Sequence, residues 1–345
     1  MRCHYWTLTQ ATCCERAKSC PRAVTDSPGR TTTATPKTLS AWNLAVTNTA
    51  NWNFIDIRDH TMKTTLLKVG ATIIALFVVF VMALPTIMHK AGLHPEYTGE
   101  THQLPSGMRA LVITTSHGVL NAPGETTGDP TGIALSELTH PYYSFLDAGM
   151  QVEVASIKGG QIPVDPGGLG RVMISPEDKR YLNDPTLLAK VENSLRIDDV
   201  DFTAYDAIFL VGGWGAAYDL GYSEVLAQKI SEAYYGPKTP LLGSVCHGAL
   251  GFVNVKDADG NKLIAGRAMT GVTDKQVQEL GIELTPMHPE TELRKAGAVF
   301  ESQTAFRDVF ATHVAIDAEQ RFITGQNQNS GMETAQNMIA ILARK

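Results

Sequence analysis

The sequence predicts an α/β three-layer sandwich: a mostly parallel sheet with helices on both faces, preceded by one transmembrane helix. Three observations lead there. From about Pro95 onward, short apolar runs alternate with amphipathic segments, the order that builds a parallel sheet covered on both sides. Several of those runs end in glycine or another small residue, as strands do where the chain turns at a sheet edge. Finally, Val69 to Met88 carries no charged side chain, and about 20 such residues suffice for a membrane-spanning helix.

Residues 1–61 differ from everything that follows. The stretch "TDSPGRTTTATPKTLSAWNLAVTNTANWN" is rich in Thr, Asn and Ala and has neither a helical nor a strand period, so disorder is expected over 1–61. Residues 62–92 then read as a signal-anchor or transmembrane helix, with Lys63 and Lys68 before the apolar run and His89 and Lys90 after it. On this reading Met62 is the natural start of translation. A cleaved signal peptide is the alternative, but no clean A-x-A site follows the apolar stretch. The small charge bias puts the N-terminus inside, making a single-pass membrane protein whose remainder lies outside the cytoplasm.

Residues 93–345 form the main domain. "RALVITTS" (109–116) reads as a strand, "TGIALSELTHPYYSFLDAGM" (131–150) as a helix with one proline, and "QVEVASI" (151–157) as a strand. "YDAIFLVGG" (205–213) is an apolar run closing on glycine, and "SEVLAQKISEAYY" (223–235) is amphipathic. "TPLLGSVC" (239–246) is a strand, after which "HGALGFV" opens a helix. "GRAMTGV" and "HVAIDAEQRFITGQN" supply further strands, and "METAQNMIAILARK" (332–345) is a closing helix.

Composition excludes several classes. The net charge of -6, with no basic stripe, argues against nucleic-acid binding. Cys3, Cys13, Cys14 and Cys20 lie in the first twenty residues, leaving Cys246 alone in the main domain, which therefore has no disulfide framework. No Cys/His group has metal-ligand spacing, so no metal is expected.

Cys246 ends a strand and opens a helix, between Ser244 and Gly248, in the geometry of a nucleophile elbow. The helix start favours the thiolate and offers the His247 amide to an oxyanion. A buried inert thiol is the competing reading. Gly212, Gly213 and Trp214, in "GGWG" after the apolar run, form a second backbone-donor loop or a simple tight turn. Glu137 is a candidate proton-handling residue among Ile133, Leu135 and Leu138, although periodicity alone turns it toward solvent. His140, three residues later, would share its face on a continuous helix, but Pro141 follows it and the residue reads as a hydrogen-bonded structural histidine.

The segments "TGIALSELTHPYYSFLDAGMQVEVASIKGGQIPVDP", "VGGWGAAYDL", "GSVCHGALGFV" and "FITGQNQNS" together resemble the ThiJ/PfpI superfamily, which has the class I glutamine amidotransferase-like fold with a flavodoxin-like sheet. The resemblance covers about 108 to 345 and is nearest to the heat-shock protein 31-like branch of glyoxalase III enzymes, or D-lactate dehydratases. It implies a cofactor-independent lyase that converts methylglyoxal-type 2-oxoaldehydes to hydroxy acids, a detoxification linked to stress. It implies Cys246 as nucleophile, His247 and Glu137 as its catalytic partners, and Gly212, Gly213 and Trp214 as the oxyanion and substrate loop. The family usually has GGHG where this chain has GGWG. Its third triad acid falls near "GVTDKQVQELG", where Gln276 and Val277 stand in the usual acid positions and Asp274 and Glu279 are the nearby replacements. The implied partner is a small aldehyde, and a homodimer is compatible with the resemblance. The branch also contains thiol amidases or peptidases, deglycases, and chaperones or redox sensors without turnover. These remain the alternative functions.

Overall fold

The computed structural model describes residues 53–282 and 284–345. The expected disorder of the first fifty-two residues lies outside the described residues. The chain divides into a unit ending at Leu66 and a unit running from Leu67 to Lys345.

The apolar segment is a single helix, Asn53–Lys90, with Pro85 inside it. It begins upstream of Met62, within the stretch expected to be disordered. Hydropathy locates the apolar part of a helix and is blind to a polar helical lead such as Arg58-Asp59-His60. Among the described residues, Thr61–Lys90 is the one stretch long and apolar enough to cross a membrane, and none of its most apolar window is buried.

The main sheet has seven strands: β1 (Arg109–Thr114), β2 (Gln151–Ser156), β3 (Leu195–Arg196), β4 (Ala207–Leu210), β5 (Leu241–Val245), β6 (Val314–Ile316) and β7 (Phe322–Gly325). Their spatial order is β6-β7-β5-β4-β1-β2-β3, parallel throughout except for β6 against β7. The expected run "HVAIDAEQRFITGQN" is thus a hairpin, β6–β7, turning through residues 317–321. "GRAMTGV" contributes only Ala268–Met269, paired with Val299–Phe300 outside the main sheet.

The central strands are mostly apolar and buried along nearly their whole length because both their faces are covered. Val112, Val154, Phe209 and Val245 face one side, where they pack with the helices Leu135–Asp147 and Gly331–Leu342. Leu111, Ile113, Ile208, Leu210 and Leu242 face the other, against Glu224–Tyr235 and Pro289–Lys295. The alternation along β1 follows the two-residue period of a strand and produces the three layers.

The helix ends follow their local chemistry. Ser223 caps Glu224–Tyr235 by accepting from the Leu226 amide. The first glutamate-bearing helix is shorter than the 131–150 read from sequence: residues 131–134 are not helical and Leu135–Asp147 is. Gly149, at φ +93°, makes the turn into β2. After β5 the chain enters a 3-10 helix, Cys246–Phe252, rather than an α-helix.

Candidate active site

Strands β1, β4 and β5 end side by side, and the loops leaving β4 and β5 build the site. At the end of β5, Cys246 has φ +57°, a left-handed backbone that a non-glycine residue adopts at a cost of about 1–2 kcal/mol. The strain turns the chain sharply from strand to helix, which is the elbow expected from sequence. The thiol is not freely accessible: Cys246 is 6% exposed.

After β4 the GGWG loop passes directly beneath the elbow. A β-carbon on Gly212 would lie 2.7 Å from the Val245 carbonyl oxygen and 2.8 Å from the His247 amide nitrogen, and would collide with the Glu137 carboxyl. Only glycine fits there. Gly213 sits at φ +95°, against the backbone of residues 132–134, and is fixed as glycine for both reasons.

Glu137, in the first turn of Leu135–Asp147, is 1% exposed, which corrects the solvent-facing alternative. Burial raises its pKa to about 8, offset in part by the Cys246 thiol and by the Gly212 and Gly213 amides. Oε2 makes no well-formed hydrogen bond. The Cys246 thiol is pushed well above the usual range, first by burial and then by the Glu137 charge; the His247 and Gly213 amides pull it back. The helix start was expected to favour the thiolate, and at this site burial outweighs it. The two groups face one another and titrate as a pair.

His247 places Nδ1 3.5 Å from the sulfur. Burial and the nearby His288 lower its pKa to about 3, so the ring is neutral at physiological pH. Its Nε2 has no hydrogen-bond partner. Neither acid offered by the sequence makes a hydrogen bond to this ring. Asp274 accepts from the Thr291 hydroxyl, and Glu279 accepts from the Asp308 amide and pairs with Lys275. Both fasten the helix Asp274–Leu280 to its neighbours. Trp214, half-buried, packs on His247 with ring centroids 4.9 Å apart.

A cavity of about 370 Å³ opens over these groups, lined by Glu137, Cys246, His247, Gly213 and Trp214 together with Gln276 and His94. Gly212, packed against the Val245 carbonyl and the His247 amide, does not line it. His140 does not belong to it. That ring is buried between the edge of His94, at 5.4 Å between centroids, and Glu177, at 3.5 Å from Nε2, with its pKa lowered to about 3 by burial.

Sequence reasoning missed His94. It follows the apolar helix by four residues and is 7% exposed. Its amide donates to Asn329 Oδ1 at 2.8 Å, and its Nε2 lies 2.6 Å from the Met173 carbonyl oxygen. A carbonyl accepts only, so Nε2 carries the proton and Nδ1 is a buried acceptor with no protein partner. A weak signal was available: Leu93-His94 interrupts a polar stretch, and Leu93 is 1% exposed.

The sequence and the fold both have known relatives. Glyoxalase 3 of Candida albicans is 27% identical over 244 residues, spanning 68% of this chain and 98% of its own. The glutathione-independent glyoxalase HSP31 of Saccharomyces cerevisiae is 25% identical, over 62% of this chain and 91% of its own. Among solved structures, Rapid Encystment Protein 24 KDa of Francisella tularensis superimposes with a TM-score of 0.61 at 31% identity, covering 68% of this chain and 99% of that one. Glyoxalase III from Candida albicans superimposes with a TM-score of 0.60 at 25% identity, covering 68% and 96%. The pattern of the DJ-1/PfpI family matches residues 130–308, from the strand end before Glu137 to beyond Cys246. The chain belongs to the DJ-1/PfpI family.

Proposed function

We propose that this protein is a glutathione-independent glyoxalase, converting 2-oxoaldehydes to 2-hydroxy acids through Cys246. The observation that carries the reading is the buried Glu137 carboxyl beside a thiol held at φ +57°, with a neutral imidazole 3.5 Å from the sulfur. The named glyoxalase relatives, similar over nearly their whole length, support it.

The steps balance without an external oxidant. His247 takes the thiol proton as sulfur adds to the aldehyde carbon, and returns it to the new alkoxide, giving a hemithioacetal. The Gly213 and His247 amides, which face the sulfur, are the donors proposed to hold that oxyanion. His247 then removes the hydrogen on the thiol-bearing carbon while the Glu137 acid protonates the neighbouring ketone oxygen, producing an enediol. His247 delivers its proton to the second carbon, and Glu137 recovers one from the first hydroxyl. The product is a thioester of the 2-hydroxy acid. Water hydrolyses it, releasing the acid and the free thiol. One carbon is oxidised and its neighbour reduced, so the overall change is addition of water.

The test is lactate formation from methylglyoxal by the full chain without glutathione. Wild type should produce lactate and Cys246→Ala should not; equal rates in a folded Cys246→Ala protein would remove the proposal. Release of ammonia from amides with no aldehyde turnover would favour a thiol amidase instead.

The Asn53–Lys90 helix is proposed to anchor residues 93–345 to a membrane in a single pass, with the catalytic domain outside the cytoplasm. Its length and its uncharged centre support this. Retention in the membrane pellet after alkaline carbonate, with the domain open to externally added protease, is the expected result. Release into the supernatant would contradict it.

A further inference from the structure

We infer that the physiological substrate is a 2-oxoaldehyde carrying a bulky, uncharged apolar group, rather than methylglyoxal, and that Trp214 is a specificity-determining residue for it. This rests on the glyoxalase reading and adds the substrate class.

The first observation is size. A water molecule takes about 30 Å³ in the liquid, so the cavity of about 370 Å³ has room for roughly a dozen. Methylglyoxal, a three-carbon molecule whose only side group is a methyl, leaves most of that space unfilled. The second is the chemistry of the wall. Away from Cys246, His247 and Glu137, its hydrocarbon comes from residues that include Leu120, Leu135, Val272, Ile282, Val309 and Trp214. Hydrocarbon of this kind gains from excluding water only when the ligand brings hydrocarbon to it.

The third is charge. Among the described residues, no lysine or arginine lines the cavity. A phosphorylated or carboxylated tail would be stripped of water with no cation to meet it. The carboxylate on the wall, Asp165, is occupied: it accepts from the Thr131 hydroxyl at 2.7 Å and the Gly167 amide at 2.8 Å. The Gln276 carbonyl faces Asn327 Nδ2 at 3.4 Å. Besides the uncharged polar groups of His94, Ser136 and Gln328, the rest of the wall is apolar, and the contrast with the polar reacting end suits R–CO–CHO with a large R.

Trp214 sits at the junction of the two. Its ring lines the cavity and rests on the catalytic imidazole at a tilt of 56°. A flat group attached to the ketone carbon can pack against such a surface while its aldehyde carbon reaches the sulfur. The overall change is unaltered: R–CO–CHO and water give R–CHOH–COOH.

The experiment measures kcat/KM for methylglyoxal, phenylglyoxal, a straight-chain alkylglyoxal and a carboxylate-tailed 2-oxoaldehyde, with the full chain in detergent. Each methylene buried in the cavity should raise kcat/KM by about fourfold, and phenylglyoxal should exceed methylglyoxal by more than about tenfold. The carboxylate-tailed compound should fall below methylglyoxal. Trp214→Ala should shrink the phenylglyoxal-to-methylglyoxal ratio, a readout independent of the amount of folded enzyme. A ratio at or below one in the wild type overturns the inference and leaves the glyoxalase reading standing. Failure of a folded protein to turn over any of the four overturns both.

Discussion

At the scale of single residues, the site depends on backbone positions that few side chains tolerate. Cys246 at φ +57° makes a specific contrast. Glycine usually destabilises by about 0.5–1 kcal/mol relative to alanine, yet here it relieves left-handed strain, so Cys246→Gly should melt at or above Cys246→Ala by calorimetry. Gly212→Ala should lower kcat by about 100-fold, because its methyl would displace Glu137 and the His247 amide from their working positions. Glu137→Gln should lower turnover by roughly 10²–10⁴-fold. It should also move the pH profile of iodoacetamide alkylation of Cys246 to lower pH, since a charge that raises the thiol pKa has been removed. An unmoved profile would show that the two groups are not coupled. Cys246 was legible in the sequence because its neighbours are small and it stands alone. Glu137 was not legible from periodicity, because its burial depends on a loop more than seventy residues away.

At the scale of elements, the segment after the apolar helix packs into the body that carries the candidate site rather than forming a passive linker. Leu93 and His94 are buried, and His94 is tied to both Asn329 and Met173. If the free Nδ1 accepts from bound substrate, His94→Ala in the full chain should raise KM by about fivefold, the worth of one hydrogen bond, with kcat changed little. His94→Gln, which keeps a donor and an acceptor, should recover part of the loss. Strands β1, β2, β4 and β5 and the longer helices were readable in order because the two-residue and 3.6-residue periods differ plainly; Leu195–Arg196 and short helices such as Pro185–Glu192 and Pro289–Lys295 were missed, being too short to show a period. The roles of Asp274 and Glu279 were not. Both carry the right chemistry at about the right place, but the hydrogen bonds they make go to Thr291 and to the Asp308 amide rather than to His247, and partners of that kind leave no mark on sequence spacing.

At the scale of the whole molecule, buried titratable groups set opposing pH dependences. Burial depresses His140 and His247 to about 3 and also lowers His94. Their contribution to stability is present above the unfolded value near 6.5 and is lost as pH falls toward 3. Burial raises Glu137 to about 8 and Asp219 to about 6; their contribution is present at low pH and is lost as pH rises through those values. Above pH 6.5 the histidines no longer add and Glu137 still subtracts. Thermal stability should therefore peak between about pH 6 and 7, and Glu137→Gln should flatten the alkaline decline. Activity should fall as pH rises past about 8, where the Glu137 acid is lost. The most direct measurement of the central claim is time-resolved peptide mass spectrometry of the full chain mixed with methylglyoxal. A transient adduct of one methylglyoxal on the Cys246 peptide, decaying as lactate appears, is the predicted result. Lactate formed with adducts only on lysine or arginine, and none on Cys246, would contradict it.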